Sequence, residues 1–181
     1  KGILPTFTGN SFSISPSGET IAIANGNTIT LRRRDESSIQ SFDAETAEII
    51  KIIFSPTGKY FVTIDSENQI KIWNIQGKVL RKWSGHNLNK NKNKNNFMGF
   101  DAIQDIDISP DGKTIATISR IHKQVRLWNF SGKLIKSWQL KDDFVTNIKF
   151  SPDGNTLAIS EDENVTLWNL KGNLLRTISG H

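Results

Sequence analysis

The sequence predicts an all-β fold assembled from four copies of one four-stranded antiparallel unit, and three observations predict it. A Ser-Pro-x-Gly tetrapeptide recurs at Ser15, Ser55, Ser109 and Ser151, with spacings of 40, 54 and 42 residues. A β-branched run follows each one (TIAIA, YFVTI, TIATIS, TLAIS), and then a run alternating at period two (ITLRRR, IKIWNI, VRLWNF, VTLWNL), which marks a strand of a sheet. The interval closing the unit is constant: Trp73 to His86, Trp128 to Lys141 and Trp168 to His181 each span 13 residues, as does Arg32 to Glu45.

Each unit reads as strands a to d, illustrated by DIDISP, TIATIS, QVRLWN and KLIKSWQL. Between a and b, proline pre-sets φ near −65° and glycine takes the positive φ that closes a tight turn. Asn-x-x-Gly does the same between c and d, from Asn74 to Gly77, Asn129 to Gly132 and Asn169 to Gly172. The units run over about 8–45, 46–86, 102–141 and 142–181, with an Asn/Lys-rich insertion at 87–101. One such unit is too small to bury its own faces, so neighbours must stack. Trp73, Trp128 and Trp168 recur in strand c, with Trp83 and Trp138 ten residues later in d, and a periodic tryptophan is read as packing rather than recognition.

Composition is that of a water-soluble domain: 36% hydrophobic, 23% charged, net charge +5. No run of about 18 apolar residues is present to cross a bilayer, and the first residues lack the ordered regions of a secretory signal. Zero cysteines exclude a disulfide scaffold, thiolate metal sites and a cysteine nucleophile. The expected setting is the cytoplasm, without membrane association.

The Ser-Pro-Asp-Gly turn, the Leu-Trp-Asn strand end and the Ser-Gly-His closures at 84–86 and 179–181 resemble the WD-repeat (WD40-type) β-propeller family. The insertion and the near-regular repeats look like bacterial, cyanobacterial-type members. The resemblance implies four propeller blades forming part of a larger ring, since propellers close with four to eight. An array that does not close exposes a flat face at each end and would self-associate. It also implies a hydrogen-bonded tetrad per blade, made by a Gly-His histidine, a strand-b Ser or Thr, a strand-c Trp and a b-to-c loop Asp. Its members here would be His86, His181, Thr63, Thr117, Trp73, Trp128 and Trp168. The set is ragged: strand b carries Ile23 and Ile159 in two blades, Arg32 replaces one Trp, and Glu67, His122 and Asp162 stand six residues before the remaining three. Apolar packing is therefore expected to dominate, with loss of the Thr117 hydroxyl costing about 1 kcal/mol.

In an up-and-down meander the a–b and c–d turns share one face, and the b–c and d–a connections share the other. The first face is uniform and reads as structural; the second varies, as binding loops on a rigid scaffold do. Candidate partner-binding residues are therefore Lys90, Lys92, Lys94, Phe97, Met98 and Phe100 in the insertion, Arg120, His122 and Lys123 beside it, and Glu161, Asp162 and Glu163 on the fourth blade. The alternative readings are a tolerated, solvated insertion for the lysine tract and a fold-back of Phe97, Met98 and Phe100 against the third blade. Such mixed charge suits a protein partner better than nucleic acid, which favours a continuous basic strip. Arg32, Arg33 and Arg34 alternate in direction and read as solvated charge rather than one patch.

No Gly-x-Ser-x-Gly elbow, phosphate loop or His-Glu-x-x-His is present. The three histidines assemble no metal triad, and the acidic runs lack calcium-loop spacing. No catalytic residue, metal site or cofactor is expected. The expected role is a non-catalytic recognition scaffold for protein–protein interaction, the sensor or assembly part of a larger multidomain protein. The alternative is nucleic-acid binding through the lysines of 87–101.

Overall fold

The computed structural model describes residues 10–35, 39–44, 47–86, 102–141 and 144–180. They form four antiparallel sheets, each of four strands in sequential order. The first holds β1 (Ser11–Ile14), β2 (Thr20–Asn25), β3 (Thr28–Arg33) and β4 (Ile39–Asp43). The second holds β5 (Ile49–Phe54), β6 (Tyr60–Asp65), β7 (Gln69–Asn74) and β8 (Val79–Ser84). The third holds β9 (Ile103–Ile108), β10 (Thr114–Ser119), β11 (Gln124–Asn129) and β12 (Leu134–Gln139). The fourth holds β13 (Val145–Phe150), β14 (Thr156–Glu161), β15 (Asn164–Asn169) and β16 (Leu174–Ser179). These are four propeller blades, as the repeat predicts.

The turns work as their residues require. Gly112 sits at φ +70° and donates its N–H to the Ser109 carbonyl at 2.8 Å. The Ser109 hydroxyl donates to Asp111 at 2.6 Å and accepts from the Thr114 N–H at 2.9 Å, which locks the a–b turn to its second strand. That hydroxyl, helped by the Lys113 N–H, holds the Asp111 carboxyl below its ordinary range; Ser151 and the Asn155 N–H do the same for Asp153. In the c–d turn the Asn129 side-chain oxygen accepts from the N–H groups of Ser131 and Lys133.

Three apolar cores join consecutive blades. Ala22, Ala24, Ile29 and Leu31 of the first blade pack on Ile52, Phe54, Phe61 and Trp73 of the second, and the pattern repeats twice. Aromatic rings in strand d add a second contact, lying on the c–d turn of the next blade. A Cβ on Gly77 would come within 2.7 Å of Phe42, and one on Gly132 within 2.8 Å of Trp83. These glycines are thus needed twice, for positive φ and for close approach.

The innermost strands are stitched by polar side chains. Ser11 and Ser13 accept from the N–H groups of Ile52 and Phe54; Asp105 and Asp107 accept from Ile148 and Phe150. Lys51 pairs with the buried Asp105, and Lys149 with Asp107 at 3.0 Å. Phe12, Ile14, Val165 and Ile178 are exposed, whereas residues at the matching positions of neighbouring blades, such as Ile52 and Val125, are buried between blades.

The tryptophan networks correct the expectation that a ragged tetrad leaves little hydrogen bonding. In the third blade the Trp128 indole donates to Thr117 Oγ1 at 2.9 Å, and the same oxygen bonds His86 Nε2 at 3.0 Å, all three side chains being buried. In the second blade Trp73 donates to Thr63 at 2.9 Å. In the fourth, where Ile159 has no hydroxyl, Trp168 donates instead to Thr166, two residues back on its own strand, and Thr166 donates to Glu161. The same position carries a cation in the two middle blades. Lys71 donates to the Ala44 carbonyl at 2.8 Å and lies 3.5 Å from Asp65; Arg126 donates to the Gly85 carbonyl at 2.7 Å with its guanidinium 5.9 Å from the Trp128 ring. Ala44 and Gly85 both lie twelve residues after the strand-c position of the preceding blade, so each cation ties the end of one blade to the next.

Candidate partner-binding face

The b–c connections differ in length, and each is built on a residue in left-handed conformation. Two residues join β2 to β3 (Gly26, φ +58°) and β14 to β15 (Asp162, φ +48°). Three join β6 to β7 (Asn68, φ +61°) and four join β10 to β11 (Lys123, φ +49°). The left-handed residue or its successor then accepts from the d–a connection: Gly85 N–H bonds the Asn68 carbonyl at 2.9 Å and Leu140 N–H the Lys123 carbonyl at 2.8 Å. Asp65 supports its loop from within, its buried carboxylate accepting from the N–H groups of Glu67 and Gln69.

Arg120 and His122 are exposed, Lys123 is half-buried, and Asp162 and Glu163 are exposed. All lie on the face of the b–c and d–a connections. Glu161 does not join them: it is 2% exposed and its carboxylate accepts from Thr166, so it belongs to the interior of the fourth blade. The reason is register, since Glu161 is the last residue of β14 and pairs with Asn164, whereas Asp162 and Glu163 form the turn. Arg32 also departs from expectation. It is 8% exposed at the strand-c tryptophan position, while Arg33 and Arg34 are exposed.

Lys90, Lys92, Lys94, Phe97, Met98, Phe100 and His181 lie outside the described residues. The residues that flank the insertion are described. It leaves from buried His86 and returns at Ala102, whose carbonyl accepts from the Arg120 N–H at 3.0 Å.

Two apolar residues escape the sequence reading. Ile121 is exposed at the tip of the β10–β11 loop, and Phe144 is 68% exposed beside Asp162, whose N–H bonds the Phe144 carbonyl at 2.8 Å. The available signal was an aromatic immediately before a strand-a run, a position held by Glu48 in the second blade. The described part of the face thus carries an exposed apolar side chain beside basic groups on the third blade and another beside an acidic group on the fourth. Among the described residues no group of three His, Asp or Glu side chains is arranged to hold a metal ion, and no helix is long and apolar enough to cross a membrane.

Comparison with known proteins agrees with this architecture. Residues 36–74 and 132–169 match the family of the WD domain, G-beta repeat. The chain is 25% identical over 174 residues to the nuclear distribution protein nudF of Aspergillus niger, covering 81% of this chain and 38% of that protein. It is 32% identical over 121 residues to the protein transport protein sec13 of Aspergillus oryzae (62% of this chain, 38% of that protein). It is 27% identical over 134 residues to the transcriptional corepressor LEUNIG_HOMOLOG of Arabidopsis thaliana (72% of this chain, 15% of that protein). The chain spans less than two fifths of the length of these curated relatives. They are fungal and plant proteins, so they lend nothing to the bacterial likeness. The two matched segments and these relatives are consistent with the four antiparallel four-stranded sheets, an arrangement similar to blades of the WD40 type.

Proposed function

We propose that this chain is a non-catalytic recognition scaffold that holds a protein partner on the face of its b–c and d–a connections. One observation carries the reading. In the blade interiors the Thr117 hydroxyl, the His86 imidazole and the Asp65 and Glu161 carboxylates are engaged in hydrogen bonds that fix the blades, while the exposed, blade-to-blade differences concentrate in loops on one face. That face offers charge of both signs around exposed Phe144 and Ile121, the composition of a protein interface with an apolar centre and polar rim. In sequence, Lys90, Lys92, Lys94, Phe97, Met98 and Phe100 of segment 87–101 belong to a d–a connection, the class of loop assigned to this face, and relatives named for nuclear distribution, transport and corepression are consistent with assembly work. The module is the sensor or assembly part of a larger multidomain protein.

The test compares three forms as bait in quantitative pull-downs: wild type, a loop-face variant (Phe144→Ser with Arg120→Glu), and a variant of the opposite face (Lys113→Glu with Lys133→Glu). Proteins retained by wild type and by the opposite-face variant, but lost from the loop-face variant, support the proposal. Equal retention by all three would overturn it. The nucleic-acid reading makes a different prediction, binding that weakens by orders of magnitude between about 50 and 200 mM salt.

A further inference from the structure

Because the blades repeat one pattern, the contents of one junction serve as a template for the next. At the junction of the second and third blades, Tyr60 is buried. Its phenol donates to the Gly112 carbonyl at 2.6 Å, and its ring meets Phe130 edge-on with centroids 5.2 Å apart. Tyr60 stands five residues after Ser55; Thr20 stands five after Ser15, and Ile75 takes the position of Phe130, two residues after the strand-c tryptophan. A hydroxyl and a methyl group do not fill the space of a phenol ring. A cleft of about 480 Å³ opens there, lined by Thr20, Leu31, Arg33, Phe54, Gly58 and Ile75 among others.

Leu31 and Phe54 are buried apolar side chains in this lining, and Ile75 is left 47% exposed. Gly58 is the repeat equivalent of Gly112, so its carbonyl corresponds to the one that Tyr60 bonds. At the junction of the third and fourth blades Thr114 is equally small, but there Leu170, in the place of Ile75, packs against the apolar core. The first junction therefore combines a missing ring with an apolar wall that stays open.

We propose that this cleft binds a tyrosine side chain of a protein partner, seated as Tyr60 is seated one junction further on. The phenol donates to the Gly58 carbonyl, and the ring lies between Thr20 and Ile75 over Leu31 and Phe54. Tyrosine suits such a place because it brings large apolar area and one polar tip at low entropic cost. Arg33, whose side chain is 53% exposed and 4.0 Å from Glu19, selects an acidic residue beside that tyrosine. The cleft lies among the a–b and c–d turns, away from the loop face, so it is a second surface independent of the one proposed above.

The experiment titrates the isotopically labelled chain with p-cresol, the tyrosine side chain alone, and with the capped tripeptides Glu-Tyr-Glu and Lys-Tyr-Lys, reading backbone amide shifts. Expected are shifts confined to the neighbourhood of Thr20, Gly58 and Ile75, with Glu-Tyr-Glu binding about tenfold more tightly than Lys-Tyr-Lys. Arg33→Glu should remove that preference. Thr20→Tyr supplies the missing ring from the chain itself and should abolish p-cresol binding. Ile75→Glu, at an exposed position, should weaken it at least about tenfold even where Thr20→Tyr proves unstable. Absence of shifts at the cleft, or p-cresol binding undiminished in Thr20→Tyr and Ile75→Glu, would overturn the proposal.

Discussion

Thr117→Val removes one hydroxyl and almost no volume, so packing changes little and the effect reads out hydrogen bonding alone. In the structure that hydroxyl satisfies two buried groups, the Trp128 indole N–H at 2.9 Å and His86 Nε2 at 3.0 Å, on a residue with no solvent exposure. Each buried polar group left without its bond costs about 1–3 kcal/mol. Some relaxation is available, so the expected loss is about 3 kcal/mol, several times the value expected from an isolated survivor of a broken tetrad. Thr63→Val is the control: it orphans only the Trp73 indole, so its cost should be about 1–2 kcal/mol. Urea denaturation followed by tryptophan fluorescence measures both, with an unchanged m-value certifying that midpoint shifts report stability. A chain of this size should also lose about 10 °C of melting temperature in Thr117→Val. If the two variants lose equal stability, or Thr117→Val loses under about 1 kcal/mol, the three-membered network is not holding the second and third blades together.

Other consequences are open to direct measurement. Gly132→Ala must place a side chain at φ +82° and 2.8 Å from the Trp83 ring, whereas Gly18→Ala, at φ +73°, meets nothing within 4 Å. The first should cost about 3 kcal/mol or more in denaturant titrations and the second only the backbone strain of about 1–2 kcal/mol; equal losses would refute the ring-on-glycine contact. Glu161→Ala should destabilise by about 1 kcal/mol because the Thr166 hydroxyl loses its carboxylate acceptor and keeps only the Ile159 carbonyl at 3.4 Å, while Glu163→Ala, in the exposed turn, should change stability by less than about 0.5 kcal/mol. Tyr60 is the chain's single tyrosine, and burial, reinforced by Asp111, pushes its phenol up to about 12. Absorbance at 295 nm should therefore show no ionisation near pH 10 while the fold persists. The sign for stability follows: the unfolded chain ionises near pH 10 and the folded one only near 12, so this contribution is complete below pH 10 and is lost as pH rises towards 12. Ionisation near pH 10 with native circular dichroism would contradict the buried phenol.

The sixteen strands among the described residues were legible because their code is local: period-two alternation, Ser-Pro-x-Gly and Asn-x-x-Gly act within a few residues of where they stand. The face that carries partner-binding candidates was legible for the same reason, since a meander assigns its loops to alternate ends whatever the neighbours do. Arg120, His122, Asp162 and Glu163 accordingly lie in exposed loops. Glu161 differs from Glu163 because pairing with Asn164 makes it the last residue of β14, facing the blade interior, and leaves Glu163 in the turn.

What the sequence by itself determined, then, is the repeat, the strand order within each sheet and the division into a uniform and a variable face. Only the tertiary structure decided which polar groups meet. Thr166 replaces the missing strand-b hydroxyl of the fourth blade, Lys71 and Arg126 reach back to the preceding blade, and Thr20 leaves a cleft where Tyr60 fills one. Each of these depends on atoms tens of residues apart or on a neighbouring strand. Hydrogen bonding and packing act through distance in space, which a linear pattern of residue types does not encode.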